Sequence, residues 1–424
     1  MMTIMSVRAT EILDSRGNPT VKAYVRLADG TEASASVPSG VSTGEEEAAE
    51  LRDGDERFNG MGVLTAKTHV NAEIATAISG MDAGDQALID EKLIKLDKTN
   101  NKSKLGANAI LAVSLAVARA AAVSAGEPLY RYLNRISKVS PFRRGMGETG
   151  MKMPIPLLNI MNGGAHANFV TDIQEYMVIP AGFKNFRESL RAGAEIYTNL
   201  RTILRERNLS VNVGDEGGFA PEVRDNVEPL TLMAEAVDRA GYTLGQNVSF
   251  GIDAAASEFR KGSKYVFNKE GRELSTDELA DFYKQIAREN GVMSIEDPFA
   301  EDDIDSFVAL NRELDDAIQI VGDDLYVTNA EKIREGINRG ATNAVIIKPN
   351  QIGTLTETFE AIFTAAEGGQ SVIISHRSGE TEDPFIADLS VAVGADEIKT
   401  GAPARGERTA KYNRLLEIEE ELQL

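Results

Sequence analysis

Asn343-Ala344-Val345-Ile346-Ile347-Lys348-Pro349-Asn350-Gln351-Ile352-Gly353 is a short apolar run that ends abruptly on a lysine. Its β-branched centre reads as a buried strand, because such side chains fit a pleated, packed surface. Pro349 has no N–H to give to a ladder, so the strand stops at Lys348. An ammonium is thereby carried at the end of a buried strand, which is costly unless something compensates or uses it.

The same design recurs on both sides of this stretch. Phe250-Gly251-Ile252 ends on Asp253, and Val292-Met293-Ser294-Ile295 ends on Glu296. The run Ile318–Gly322 ends on Asp323, Val372–Ser375 on His376, and Glu397-Ile398 on Lys399. The steps between these polar ends are 43, 27, 25, 28 and 23 residues. A strand, a helix and two short loops need about that length. Strands in series, each followed by a helical pattern, imply a parallel sheet, and this many units imply a closed α/β barrel of the (β/α)8 type. The active site of such a barrel lies at the C-terminal ends of its strands. One polar residue after a strand is usually a cap or a solvated loop residue. Six in register, three acids, two lysines and a histidine, point to chemistry.

A chain of 424 residues is too long for one ordinary core, so two domains are expected. With 45 basic and 66 acidic residues the net charge is −21, which argues against a nucleic-acid surface. An anionic substrate then needs a locally positive pocket. Cysteine is absent, so disulfides are excluded and a reducing cytoplasm is compatible. The residues at the start of the chain are too short and polar a run for a signal peptide. The most apolar stretch, Ala107–Ala125, contains Asn108, Ser114, Arg119 and Ser124, and reads as a buried helix rather than a membrane span.

Thr20–Ala28 alternates, and Thr31–Val37 follows Asp29-Gly30, a β-hairpin signal. Helical patterns follow at Val63–Ser79, Asp85–Asp97 and Leu105–Ala125. The expected organisation is an N-terminal α+β domain over 1–136, a Gly-rich basic linker over 137–153, and a barrel over 154–424 that closes with a helix near Arg405–Glu421.

Two loops stand out. Pro38–Glu45 has the composition of a lid for the barrel mouth, and equally of a surface loop capped by Thr43. Asn162-Gly163-Gly164-Ala165-His166-Ala167-Asn168 allows close backbone approach and carries one of three histidines.

Asp253, Glu296 and Asp323 supply only oxygen ligands, and three carboxylates facing one point cannot all ionise without a cation. Mg2+ suits them better than Zn2+. A divalent ion facing Lys348 and Lys399 favours a neutral amine, which is how a lysine becomes a general base. Gly214-Asp215-Glu216-Gly217-Gly218 adds an acid in a glycine-rich turn. Metal, base and acid in one mouth fit removal of a proton α to a carboxylate.

These segments, with Asp14-Ser15-Arg16-Gly17-Asn18-Pro19-Thr20, Ser294-Ile295-Glu296-Asp297-Pro298-Phe299 and Ser375-His376-Arg377-Ser378-Gly379-Glu380-Thr381, resemble the enolase family over essentially the whole chain. The resemblance implies dehydration of 2-phosphoglycerate to phosphoenolpyruvate. Asp253, Glu296 and Asp323 would bind a first Mg2+, and Ser42 a second that joins with substrate. Lys348 would be the base, and Glu216, helped by Glu175, the acid. Lys399 would hold the carboxylate and Arg377 and Ser378 the phosphate, with His166, Gln174 and His376 lining the pocket. It also implies a homodimer or an octamer in the cytoplasm, with cell-surface display in some members. That second role often uses C-terminal lysines, and this chain ends Glu421-Leu422-Gln423-Leu424. Relatives use the same barrel for other α-proton abstractions from carboxylates. The basic loop at Arg377 argues for a phosphate instead. Val41 and Pro349 depart from the commoner family pattern.

Overall fold

Residues 2–40, 44, 46–138, 150–314 and 317–423 are described in the computed structural model. The expected hairpin is β2 (Pro19–Leu27) with β3 (Glu32–Ser36), and β1 (Ile4–Leu13) pairs antiparallel on the other side of β2. Strand β1 escapes a period-two reading because its register shifts between Ile4 and Ser6. Helix α1 (Leu64–His69) passes through a π-helical turn into α2 (Ala75–Ile78), so the pattern read at Val63–Ser79 is one interrupted helical segment. Helices α3 (Gln86–Asp97) and α4 (Ala107–Ala125) follow. Helix α4 is the one described helix long and apolar enough to cross a membrane, and most of it is buried inside the fold. Its small alanines let it lie on β2 and β3. Helix α5 (Leu129–Lys138) was not read from the sequence and runs into the expected linker, most of which lies outside the described residues.

The barrel closes in the order β10-β11-β12-β13-β14-β4-β5-β6. Its strands are β4 (Ile155–Asn162), β5 (Glu175–Ile179), β6 (Ser249–Asp253), β10 (Val292–Glu296), β11 (Gln319–Gly322), β12 (Ala344–Ile347), β13 (Ser371–Ser375) and β14 (Glu397–Lys399). Strands β7 (Arg260–Lys261), β8 (Lys264–Phe267) and β9 (Arg272–Leu274) form a separate small sheet. The expectation of an all-parallel barrel fails at β5, which pairs antiparallel with both β4 and β6. Only a loop and one 3-10 turn join β4 to β5, and without a crossover helix the chain must return antiparallel. Two helices instead of one follow β5, α6 (Phe186–Glu206) and α7 (Glu228–Arg239), before β6. This reversal has a consequence for the site. It puts the first residue of β5, Glu175, opposite the last residues of β4 and β6, Asn162 and Asp253.

The outer helices α8 (Thr276–Asn290), α9 (Ile304–Leu314), α10 (Ala330–Arg339), α12 (Leu355–Glu367), α13 (Phe385–Val393) and α14 (Gly406–Leu422) follow the remaining strands. Pro349 opens a one-turn helix, α11 (Pro349–Ile352), at a position where a missing N–H costs nothing.

The N-terminal region is tied to the barrel beside the loop after β13. Ser39 and Gly379 exchange backbone bonds of 2.7 and 2.9 Å. Arg119 on α4 grips Asp383 through both terminal nitrogens, at 2.8 and 2.6 Å. Burial works against the Asp383 carboxylate, but Arg119 outweighs it and holds the group below the ordinary carboxylate range. Arg119→Ala should therefore cost about 3 kcal/mol in urea unfolding at neutral pH, because the partner charge is left buried. A depressed native pKa gives stability that is present above the unfolded value and lost as pH falls. The difference between variant and wild type should then shrink below pH ~4. Equal unfolding midpoints at pH 7 would show that this pair does not tie the two regions together.

Candidate active site

Most of the strand ends deliver their polar residues to one cavity at the barrel mouth. Asp253, Asp323, Lys348, His376 and Lys399 line it, joined by Glu175 from the reversed strand. Glu296 lies just beneath, 1% exposed. The turn carrying Glu216 is shaped by Gly217, whose φ of 88° suits glycine. Gly164, at φ 47°, lets the His166 loop lie against Gln174, where an added Cβ would come within 3.0 Å. His166, Gln174, Arg377 and Ser378 complete the wall. Val41, Ser42, Thr43 and Glu45 lie outside the described residues.

Two lysines organise the acids. Lys399 Nζ lies 2.7 Å from Glu175, 3.2 Å from Asp253 and 2.8 Å from Glu296. Lys348 pairs with Asp323. Burial works against both ammonium ions, but these carboxylates outweigh it and raise both lysines above their ordinary range. The acids remain crowded even so. Burial, then Asp253, pushes Glu296 well up. Burial, then Asp324, does the same to Asp297, and Asp324 is pushed up to about 8 by burial and Asp323.

Asn159 on β4 donates to both Glu175, at 2.6 Å, and Glu216, at 2.5 Å. Two buried carboxyls this close do not both ionise readily. Burial and Glu216 raise Glu175 well above its usual range. The pair titrates as a unit, with its proton mainly on Glu175. His166 Nδ1 stands 3.5 Å from Glu216, and His376 Nε2 stands 3.4 Å from it on the other side.

Arg408 on α14, fully buried, meets His376 Nδ1 at 2.7 Å. A guanidinium only donates, so Nδ1 accepts and the ring proton is on Nε2. Burial drives the His376 pKa well below its usual value, so the ring stays neutral.

The sequence reading missed Asn159, Arg408 and Glu47, which takes both terminal nitrogens of Arg377 at 2.8 and 3.1 Å. An asparagine inside an apolar strand was a usable signal. Arg408 and Glu47 gave none, since each looks like an ordinary charge on a solvated helix or loop.

The donor set fits a hard divalent cation. It is mostly carboxylate oxygen, largely buried, and more negative than its two lysines balance. Oxygens of Asp297, Asp323 and Asp324 lie within 4.8 Å of one another, as do the ligand atoms of His166, Glu175 and Glu216. Asp253 and Glu296 converge instead on Lys399, because its ammonium supplies their shared positive charge. Among the described residues, buried Gln174 Oε1 has no hydrogen-bond partner, and His166 Nδ1 and His376 Nε2 have only the longer approach to Glu216.

The sequence model for "Enolase, N-terminal domain" matches residues 4–133, and that for "Enolase, C-terminal TIM barrel domain" matches 150–424. The chain belongs to the enolase family. It is similar to the enolase of Methanopyrus kandleri, 53% identical over 424 residues, which are all of this chain and 96% of that one. The enolases of Nitratiruptor sp. and Rubrobacter xylanophilus are each 52% identical over the whole of this chain and 97% and 96% of their own. Enolases are hydro-lyases that use magnesium, and this chain has their two-part architecture and acidic clusters of the kind that holds a metal.

Nitrogen NMR of histidine-labelled protein should show His376 as the neutral Nε2–H tautomer from pH 7.5 down to ~5.5, below the usual histidine pKa. An imidazolium signal in that range would mean that burial, with Arg408 beside the ring, does not keep it neutral.

Proposed function

We propose that the chain converts 2-phosphoglycerate reversibly to phosphoenolpyruvate, with Lys348 as base and the Glu175–Glu216 pair as acid. The observation that carries this reading is a lysine and a proton-sharing carboxyl pair in the wall of one cavity, with a guanidinium beside them. Arg377 and Ser378 suit a phosphate, and Lys399 a carboxylate. His166, Gln174 and His376 orient the rest of the substrate.

Lys348 takes the proton from C2. The electron pair left there forms the C2–C3 double bond as the C3–O bond breaks, and the hydroxyl leaves as water with a proton from the carboxyl pair. Asn159 keeps the two carboxyls close enough for that proton to reach either. Lys348 meets substrate as an amine only when the charge of Asp323 is engaged elsewhere, so base and metal site share that carboxylate.

Asp253, Glu296 and Asp323 would hold the first magnesium, and Ser42 a second that joins with substrate. Bound there, magnesium would supply positive charge that stabilises the charge developing on the substrate carboxylate. The linker over 137–153, a homodimer or octamer, and a cytoplasmic location belong to the same proposal and rest on the family likeness.

The two ends of the machinery should fail at different steps. Lys348→Ala should lose both turnover and exchange of the C2 hydrogen with deuterated water, by ~10²–10⁴-fold. Glu216→Gln should lose turnover yet keep C2 exchange, because the base remains. Lys348→Arg should not rescue, since a guanidinium stays protonated. NMR of recovered substrate decides. Wild-type exchange in Lys348→Ala with none in Glu216→Gln would reverse the two roles.

A further inference from the structure

Gln351 has no part in the chemistry above, yet every polar atom of its side chain is committed. It sits on α11 three residues past the lysine and is 1% exposed. Its Nε2 donates to Asp323 Oδ1 at 3.0 Å and to Glu47 Oε1 at 3.2 Å. Its Oε1 accepts from Thr328 at 2.7 Å, and the same Thr328 hydroxyl oxygen accepts the Lys348 N–H at 2.9 Å. Two carboxylates demand donors and a hydroxyl demands an acceptor, so the amide is held in one orientation.

Glu47 is the other half of this arrangement. It accepts from both terminal nitrogens of Arg377 and from Gly44 N at 3.2 Å. Ala48 N, next in the chain, donates to the Gln351 backbone oxygen at 2.8 Å. A continuous polar chain therefore runs from Arg377 through Glu47 and Gln351 to Asp323, the partner of Lys348.

We propose that Gln351 is a positioning residue that couples the anion-binding arginine to the base lysine. The claim rests on the dehydration reading for what Arg377 and Lys348 do. A shift of Glu47 as Arg377 takes a phosphate is passed through one rigid amide to Asp323, so phosphate grip and base geometry are set together. Glutamate here would place a third carboxylate between two others, and asparagine is one carbon too short to span them. Only a long, neutral, double donor answers both ends.

Gln351→Met has nearly the same length and no donor. Steady-state kinetics with 2-phosphoglycerate at saturating Mg2+ should show kcat lowered ~10–100-fold, as misplacement of a reacting group costs, while KM changes less than ~3-fold. In a cycle with Glu47→Gln, the double variant should lie within ~3-fold of Gln351→Met alone, because the two residues act as one chain. In chelator-treated protein, amide exchange over residues 46–53 should speed up in Gln351→Met, while exchange over α12 stays as in wild type. A kcat within ~2-fold of wild type, a loss confined to KM, or single effects that multiply would overturn the coupling. So would unchanged exchange over 46–53, or faster exchange over α12 as well, which would mark a merely structural residue. An inactive wild type would instead sink the dehydration reading, and the exchange result would then judge the chain of contacts by itself.

Discussion

The ammonium of Lys399, 2% exposed, touches Glu175, Asp253 and Glu296, each itself nearly dry. Taking one charge out of water costs several kcal/mol, and four ionisable groups are buried here together. Such a cluster persists only where the surrounding structure fixes every member. The barrel does this by construction. Lys399, Asp253 and Glu296 are the last residues of β14, β6 and β10, and Glu175 is the first of β5. Their backbones are pinned by ladder bonds, so the charges cannot relax apart. The rest of the mouth is arranged around that fixed point.

The reversal of β5 belongs to this logic. In an all-parallel barrel its first residue would lie at the opposite rim. Run antiparallel, the strand presents Gln174 and Glu175 to the mouth, paired across from Asp253. One short connection after β4 thus decides whether the acid pair exists at all. The clamp of Arg119 on Asp383 and the Ser39–Gly379 bridge do the same for the loop holding Arg377 and Ser378, by tying it to the N-terminal region.

Much of this was legible in the sequence because burial and charge conflict there openly. An apolar run that stops on Asp253, Glu296 or Lys348 states both the strand and the rim it reaches. The family motifs then named the chemistry. What was not legible depended on geometry that no local pattern encodes. The direction of β5 follows from a missing helix, not from its own residues, which read as any buried strand would. Arg408 and Glu47 look like surface charges until the fold folds them under His376 and Arg377. Asn159 marks the middle case, since an amide in the middle of Ile155–Asn162 was visible but its two carboxyl partners were not.

On the function proposed above, these buried acids are held for a divalent ion that activity requires. The direct measurement is calorimetric titration of Mg2+ into chelator-treated protein, beside phosphoenolpyruvate formation from 2-phosphoglycerate at the same metal concentrations. Heat of binding and turnover should rise together, and Asp323→Asn should weaken both. Full turnover in excess chelator would contradict it.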